Sequence, residues 1–377
     1  MSWRDRKQST NESQRNRRFR FRSRNSNSGS NHSSTHRNQF QDVFQNLLRR
    51  RVELSTAQLS NALDKLNAMT FPRRDVTHAD CENMILMLIR TVPEDSEMLG
   101  SKLCSFVNTL CVKHIVLSHR GIDSVLKYLL KFGSRASTSV FAIDALKALS
   151  SLLIENGDRC SEHVETIASH LQRFADTSSV NLNAKHAAIL ALANLCAKSG
   201  AALRECGKSK ALMDIFIRNF VVHAKVRPES SSSDDDDEND ELIAKLIASI
   251  LYGLEMVLSA DPKLQQHFQN PSDIFNTLTL LVGYRCHRNE ASYSRVRVHA
   301  VSLLRCLIRG KNSPFRQIVV QRLGTLVPSD EHEALSSKPV RTSVLTLITH
   351  DSYSTVCVVL FFIMELARYV THRQAND

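Results

Sequence analysis

The sequence predicts an all-α chain in which similar helices recur and stack into a solenoid. A helical pattern of small residues and leucines occurs four times, at spacings that run from 46 residues (Leu146 to Leu192) to 62 residues (Leu192 to Leu254). In each copy the apolar residues fall at i, i+3, i+4 and i+7, the stripe of a helix that is buried against other helices. The copies occupy residues 140–149, 184–196, 247–254 and 298–307.

Recurrence at this spacing is typical of HEAT and armadillo repeats, whose units run about 40–47 residues. The predicted fold class is therefore an armadillo/HEAT-like right-handed α-solenoid over residues 39–377, preceded by a disordered tail at residues 1–38. The eight prolines support this prediction, since none lies within a periodic segment and proline costs about 3 kcal/mol inside a helix. Gly253 lies within a predicted helix, which indicates either close packing against a neighbour or a weakened helix.

The elements follow in order along the chain. Residues 1–38 are rich in Arg, Ser and Asn, and they bury too little apolar surface to offset the entropy of ordering. Helical periodicity begins near Phe40. A helix over residues 80–92 follows, with Thr77 as its N-cap and Pro93 just past its end. The four copies come next. The apolar run at residues 356–364 predicts a buried helix of a late repeat, because a membrane span needs about 20 residues.

One segment interrupts the pattern, the serine-rich acidic run at residues 226–240. Its composition predicts a disordered, solvated loop inserted between two helices of a repeat. Removing about 15 residues restores a repeat spacing within the expected range. Ser231, Ser232 and Ser233 each have an aspartate three positions later, which is the pattern of acidophilic kinase sites. Phosphorylation there would add about −1.5 to −2 charges per site.

The formal net charge of +11 is concentrated in the tail, where residues 1–38 hold ten Lys/Arg and two acidic residues. Arginine can bridge phosphates and stack on bases, as can phenylalanine, so RNA binding is one interpretation of the tail. A nuclear-import signal bound by an import receptor and an inert solubilising tail are the alternatives. The residues concerned surround Phe19 and Phe21: Arg15, Arg17, Arg18, Arg20, Arg22 and Arg24.

The sequence offers little chemistry for catalysis. No phosphate-binding, nucleophile-elbow or zinc-protease motif occurs in it. The nine cysteines are scattered without a C-x-x-C pair, which favours free thiols in a reducing compartment over a metal site. We therefore expect a non-enzyme with no cofactor, metal or small-molecule substrate. Its expected location is intracellular, in the cytoplasm, the nucleus or both.

Residues 187–196 resemble the third helix of an armadillo repeat, in which an asparagine clamps the backbone of a bound peptide. Asn194 occupies that position here, so the resemblance implies that Asn194 contacts a peptide. The order of elements over residues 50–310 is similar to the N-terminal region of the HEAT repeat-containing protein 6 family. The matching elements are residues 80–93, 140–160, 187–196, 241–258 and 295–309. This resemblance implies no catalytic activity.

The expected function is a non-enzymatic scaffold or adaptor that binds protein partners along the concave face of the solenoid. The alternative is nucleic-acid or ribonucleoprotein binding through the basic tail and the basic helical surface. The two differ in their salt dependence, because nucleic-acid affinity falls steeply as salt rises.

Overall fold

The computed structural model describes residues 40, 42–47, 54–69, 76–133, 140–176, 181–224, 234–283, 290–309, 313–324 and 353–374. Within these ranges the chain consists of helices and short turns, without a strand, and the all-α prediction is confirmed. The tail at residues 1–38 and Ser231, Ser232 and Ser233 lie outside the described residues, as do the six arginines between Arg15 and Arg24.

The described ranges contain thirteen α-helices of at least 11 residues, besides a short helical segment at residues 42–47, and we number the thirteen in chain order. They are α1 (Thr56–Ala68), α2 (His78–Thr91), α3 (Glu97–Val112), α4 (His119–Gly133), α5 (Val140–Asn156), α6 (Val164–Asp176), α7 (Leu182–Glu205), α8 (Ser209–His223), α9 (Asp234–Ala260), α10 (Pro271–Gly283), α11 (Glu290–Arg309), α12 (Pro314–Gly324) and α13 (Tyr353–Gln374). Short 3₁₀ helices lie at Gly157–Arg159, Ser161–His163 and Pro262–His267.

The helices stack in two layers. Each odd-numbered helix from α1 to α9 packs side by side on the next odd-numbered helix, and α11 packs in the same way on α13. The even-numbered helices lie against the odd ones, and their contacts with one another are smaller. We call the odd layer the inner layer, because the lateral packing between its helices is the more extensive of the two. This arrangement is the armadillo/HEAT-like solenoid that the repeat spacing predicts.

Helix starts are set by local polar residues. Ser55 accepts a hydrogen bond from the Gln58 backbone N–H at 3.3 Å, and the Gln58 side chain accepts one from the Ser55 N–H at 3.1 Å. Thr77 and Asp80 form the same reciprocal arrangement before α2. Each such capping box satisfies two backbone donors that the helix leaves unpaired. The predicted N-cap at Thr77 is confirmed.

Close approach of the helices depends on small residues at the crossings. A Cβ atom placed on Gly253 of α9 would lie 2.3 Å from Cε1 of Phe216, a fully buried ring of α8. Gly100 of α3 meets the ring of Phe141 in α5 in the same way, at 2.4 Å from Cζ. Close packing is therefore the correct interpretation of Gly253.

The prediction of a disordered loop over residues 226–240 is wrong for its last seven residues. Helix α9 begins at Asp234, so residues 234–240 form its first two turns. Glu241 in the same helix pairs with Lys245 one turn later, at 2.7 Å between Oε1 and Nζ. Residues 225–233 lie outside the described part of the chain.

Two inner helices are long and apolar enough to cross a membrane by length and composition alone. They are Leu182–Glu205 and Asn239–Ala260, with mean hydropathies of 1.3 and 1.8 and 61% of each window buried inside the chain. Core helices of soluble proteins pass the same test, so this is weak evidence for a span. The buried residues of both helices pack on their neighbours in the inner layer.

Candidate protein-interaction surface

The solvent side of the inner layer carries a stripe of exposed or half-exposed side chains on each helix. On α3 the stripe contains Met98, Ser101, Ser105, Asn108 and Val112, and on α5 it contains Val140, Asp144, Lys147, Ser151 and Ile154. The spacing of three and four places each set on one helix face. Later inner helices continue it with Asn183, His186 and Leu190 on α7, Lys245, Tyr252 and Met256 on α9, and Arg305 and Arg309 on α11. We call these residues the inner face.

Polar pairs tie successive stripes of the inner face together. Ser101 of α3 donates to the carboxylate of Asp144 in α5. Ser151 of α5 donates to Oδ1 of Asn108 in α3 at 2.5 Å. Both pairs join residues 43 positions apart, which fixes the register of one repeat on the next. The inner face is therefore held in one arrangement before anything binds to it.

Asn194, the predicted peptide contact, lies deeper than the inner face. Its side chain is only 5% exposed. Its Nδ2 atom donates to Oγ of Ser150 at 3.0 Å and lies 3.4 Å from the Ser150 carbonyl oxygen. The amide nitrogen of Asn194 thus joins α7 to α5. Peptide contact at Asn194 stays a prediction.

Glu255 organises the junction between α9 and α11. Its carboxylate accepts a hydrogen bond from the Ser302 hydroxyl and lies 3.5 Å from Nδ1 of His299. The Tyr252 ring packs on the His299 ring with centroids 5.2 Å apart. Burial, and then the Glu255 carboxylate, raise the pKa of Tyr252, so its hydroxyl stays protonated and can donate a hydrogen bond at the inner face.

A cationic group lies at the centre of the inner face. His186 of α7 is mostly buried, and its surroundings include Lys245 of α9 and Lys147 of α5. Burial first, and then the two ammonium groups, lower the pKa of His186 to about 4. The imidazole is therefore neutral at pH 7. Such a surface attracts acidic groups. No local sequence pattern reveals this group, because its members come from three separate helices.

Helix α13 ends the described stack and differs from the predicted buried helix. Val359 and Phe362 are buried, at 0% and 5% exposure. The other side of the same run is open to solvent, with Leu360 48%, Phe361 52%, Ile363 38% and Met364 50% exposed. Hydropathy alone did not reveal this because it does not say how many sides of a helix have neighbours. An exposed apolar cluster of this kind is typical of an interaction site.

The described cysteines are free thiols, and five of them are buried: Cys81, Cys104, Cys111, Cys160 and Cys196. Burial raises the pKa of Cys81 to about 12 and that of Cys160 to about 11. Buried thiols of this kind are inert nucleophiles at neutral pH. The described residues hold no group of three or more His, Cys, Asp or Glu side chains arranged to bind a metal ion.

No protein-family profile and no curated protein matches the chain. Among solved structures, it is similar to a designed armadillo repeat protein at 13% identity and a TM-score of 0.44, covering 68% of this chain and 98% of that one. Computationally designed armadillo repeat proteins for modular peptide recognition give 14% identity and a TM-score of 0.44, over 72% and 98% of the two chains. A designed armadillo repeat protein in complex with the peptide (KR)4 gives 14% and 0.41, over 75% and 98%. The fold assignment rests on the helix stacking described above.

Proposed function

We propose that this chain is a non-enzymatic scaffold or adaptor whose inner face binds acidic segments of protein partners. The observation that carries the proposal is the cationic centre of the inner face, where exposed Lys147 and half-exposed Lys245 both act on the neutral His186, although Lys245 also pairs with Glu241 at 2.7 Å. Cations at the middle of a continuous surface favour an acidic ligand laid across several helices.

The polar pairs within the inner face support this proposal. Ser101 pairs with Asp144 and Ser151 with Asn108, so these four polar side chains are already ordered at the α3–α5 junction. A surface ordered in advance loses less conformational entropy when it takes a ligand. The aliphatic side chains at the stripe ends, such as Met98 and Val140, are 52% and 70% exposed. They offer apolar contact beside the charged centre.

The test compares two charge-reversal variants of the full chain. Lys147→Glu with Lys245→Glu reverses the centre of the inner face. Lys127→Glu with Lys210→Glu, at exposed positions of the even layer, makes the same change in net charge elsewhere. Each is expressed in cells, purified after nuclease treatment and compared by quantitative mass spectrometry. We expect the first variant to lose the partners of the wild type and the second to keep them. Equal retention by both variants would overturn the proposal.

Nucleic-acid binding is the second candidate function, and the same cationic centre supports it. Together with the tail at residues 1–38 it would contact the phosphate backbone. Each phosphate neutralised adds about 0.9 to the slope of log affinity against log salt for duplex DNA, and about 0.7 for single strands. RNA affinity is therefore measured against salt with and without residues 1–38. A steep slope that deletion reduces favours this candidate, as does a partner set that nuclease removes.

Three finer assignments remain proposals. Membership in the HEAT repeat-containing protein 6 family is supported by the order of elements, and a homologue alignment that joins the two would test it. An intracellular location is supported by the free thiols of the described residues, and cell fractionation would test it. Phosphorylation at Ser231, Ser232 and Ser233 is supported by the downstream aspartates. Intact-mass measurement of the native protein would test that, and an unmodified mass would exclude it.

A further inference from the structure

Three half-buried histidines, His170, His186 and His223, differ in whether a ligand can contact the ring. In His170 and His223 the Nε2 atom is fully buried without a hydrogen-bond partner. Neither ring nitrogen of His186 is buried in this way, and the described residues contain no hydrogen-bond partner for either of them. His186 also lies on the inner face, so its imidazole is the one of the three that a ligand bound there can contact.

His186 lies on the middle one of three adjacent inner helices. Its helix α7 packs on α5 on one side and on α9 on the other. Lys147 of α5 and Lys245 of α9 both act on the imidazole, and Lys245 is also paired with Glu241 at 2.7 Å. An acidic ligand held by the two lysines therefore brings its carboxylates close to the imidazole.

The even helices that pack on α7 contribute charges to another part of it. Lys185, the residue before His186, interacts with Asp176 of α6 and acts on His223 of α8. Asp176 is in turn paired with Arg218 of α8 at 2.8 Å. Among the described residues, the charges that act on the His186 imidazole are the two ammonium groups, without a carboxylate. A carboxylate beside this ring must therefore come from the ligand.

We propose that an acidic ligand on the inner face accepts a hydrogen bond from His186 and draws a proton from solvent onto its imidazole, so that affinity rises as the pH falls. The proposal rests on the proposed function, that the inner face binds acidic segments, and assigns a pH dependence to it. A neighbouring carboxylate favours the imidazolium, whereas further burial by the ligand disfavours it. Hydrogen bonds between charged groups are roughly twice as strong as neutral ones, so we expect the carboxylate to have the larger effect.

Thermodynamic linkage sets the size of the effect. In the free chain, burial and then Lys245 and Lys147 lower the pKa of His186 from 6.5 to about 4. A ligand that returned this pKa to 6.5 would bind about tenfold more tightly at about pH 5.5 than at about pH 7.5. Tenfold is the upper limit, since a partial return of the pKa gives a smaller rise. The sign is fixed because the complex binds more protons than the free chain.

The probe is a rhodamine-labelled peptide of about 12 residues in which glutamate alternates with glycine, long enough to span the two helix spacings from α5 to α9. Its binding to the full chain is followed by fluorescence anisotropy at both pH values. We expect the affinity to rise between about twofold and tenfold on acidification. Calorimetry in two buffers of different ionisation enthalpy counts the protons. Uptake of a fraction of a proton per peptide is expected, whereas proton release or no net uptake would overturn the proposal.

Two variants localise the proton. His186→Gln keeps a side chain that forms hydrogen bonds but does not titrate, and we expect it to lose the pH-dependent rise and the proton uptake. His170→Gln is the matched control, because its Nε2 is buried away from ligands, and it should behave as the wild type does. Histidines elsewhere and the peptide carboxylates contribute equally to all variants and cancel in the comparison. An unchanged rise in His186→Gln, with circular dichroism showing retained helicity, contradicts the proposal.

The lysine variant separates this proposal from the proposed function. If Lys147→Glu with Lys245→Glu abolishes peptide binding while His186→Gln leaves the pH dependence intact, the proposed function stands and the proton linkage fails. If the peptide binds the wild type at neither pH, or binds the lysine variant equally well, the proposed function fails and the linkage fails with it. Loss of binding in the lysine variant together with loss of the pH dependence in His186→Gln supports both.

Discussion

Replacing Gly253 by alanine tests the close helix packing that the fold depends on. The new Cβ would lie 2.3 Å from Cε1, 2.4 Å from Cζ and 2.9 Å from Cδ1 of Phe216. Real Cβ atoms do not approach other atoms so closely, so the ring or the helix has to move. Phe216 is 0% exposed, and its ring has no free space into which it could turn without displacing other core side chains.

Two opposing terms set the expected size of the effect. Alanine is favoured over glycine inside a helix by about 1 kcal/mol. Overpacking a well-packed core costs typically about 1–3 kcal/mol, and contact with three ring atoms places Gly253→Ala at the upper end of that range. We therefore expect a net loss of about 2 kcal/mol in the free energy of unfolding. Gly100→Ala, which meets Cζ of Phe141 at 2.4 Å, provides an independent repeat of the same change.

The assay is urea unfolding followed by far-ultraviolet circular dichroism, applied to a double-mutant cycle. Phe216→Leu replaces the ring by a smaller side chain and so makes room for the new methyl group. The double variant Gly253→Ala with Phe216→Leu should therefore be about 1–2 kcal/mol more stable than the sum of the two single changes. A Gly253→Ala chain as stable as the wild type, or a strictly additive cycle, would show that the α8–α9 crossing is looser than these distances imply.

Three further predictions concern pH, a buried amide and the thiols. Because the pKa of His186 falls from an unfolded value of 6.5 to about 4, the unfolded chain binds more protons between these values. Stability present above pH 6.5 is then lost by roughly 3 kcal/mol as the pH falls to 4, and His186→Gln should flatten the urea midpoint over that window. Asn156→Ala should cost about 1–3 kcal/mol in urea unfolding, because the Leu117 N–H donates to Oδ1 of Asn156 at 2.9 Å and would be left buried without an acceptor. Among the described thiols, exposed Cys206 should react with a disulfide reagent in the native protein well before Cys196 does.

The helices and their repeat could be predicted because their apolar stripes follow from local spacing. The predicted N-cap at Thr77 holds for the same reason, since a capping box joins residues only three positions apart. The prediction of a loop failed for residues 234–240 because composition indicates solvation and does not show where the following helix begins. The Asn194 side chain donates a hydrogen bond to Ser150, and this contact depends on the register between two repeats. No local pattern contains that register.

The cationic centre could not be predicted from the sequence for a related reason. Lys147, His186 and Lys245 become neighbours only when α5, α7 and α9 are placed side by side. The segment between α8 and α9 makes their spacing along the chain unequal, so a search at a fixed repeat period does not align them. Interaction chemistry on a solenoid is thus distributed across repeats, while packing chemistry is repeated within them.

Residues that determine stability and residues on exposed faces therefore lie at different positions. Single substitutions can change one property without the other. Gly253 lies at a crossing in the middle of the stack, where each repeat depends on its neighbours for burial. Leu360 and Met364 lie on the open side of the last described helix and contribute little burial there. Changing them to aspartate removes exposed apolar surface and should shift the free energy of unfolding by no more than about 0.5 kcal/mol each. A large loss of stability from those changes would mean that the chain itself covers the α13 face, and that these apolar side chains are core residues.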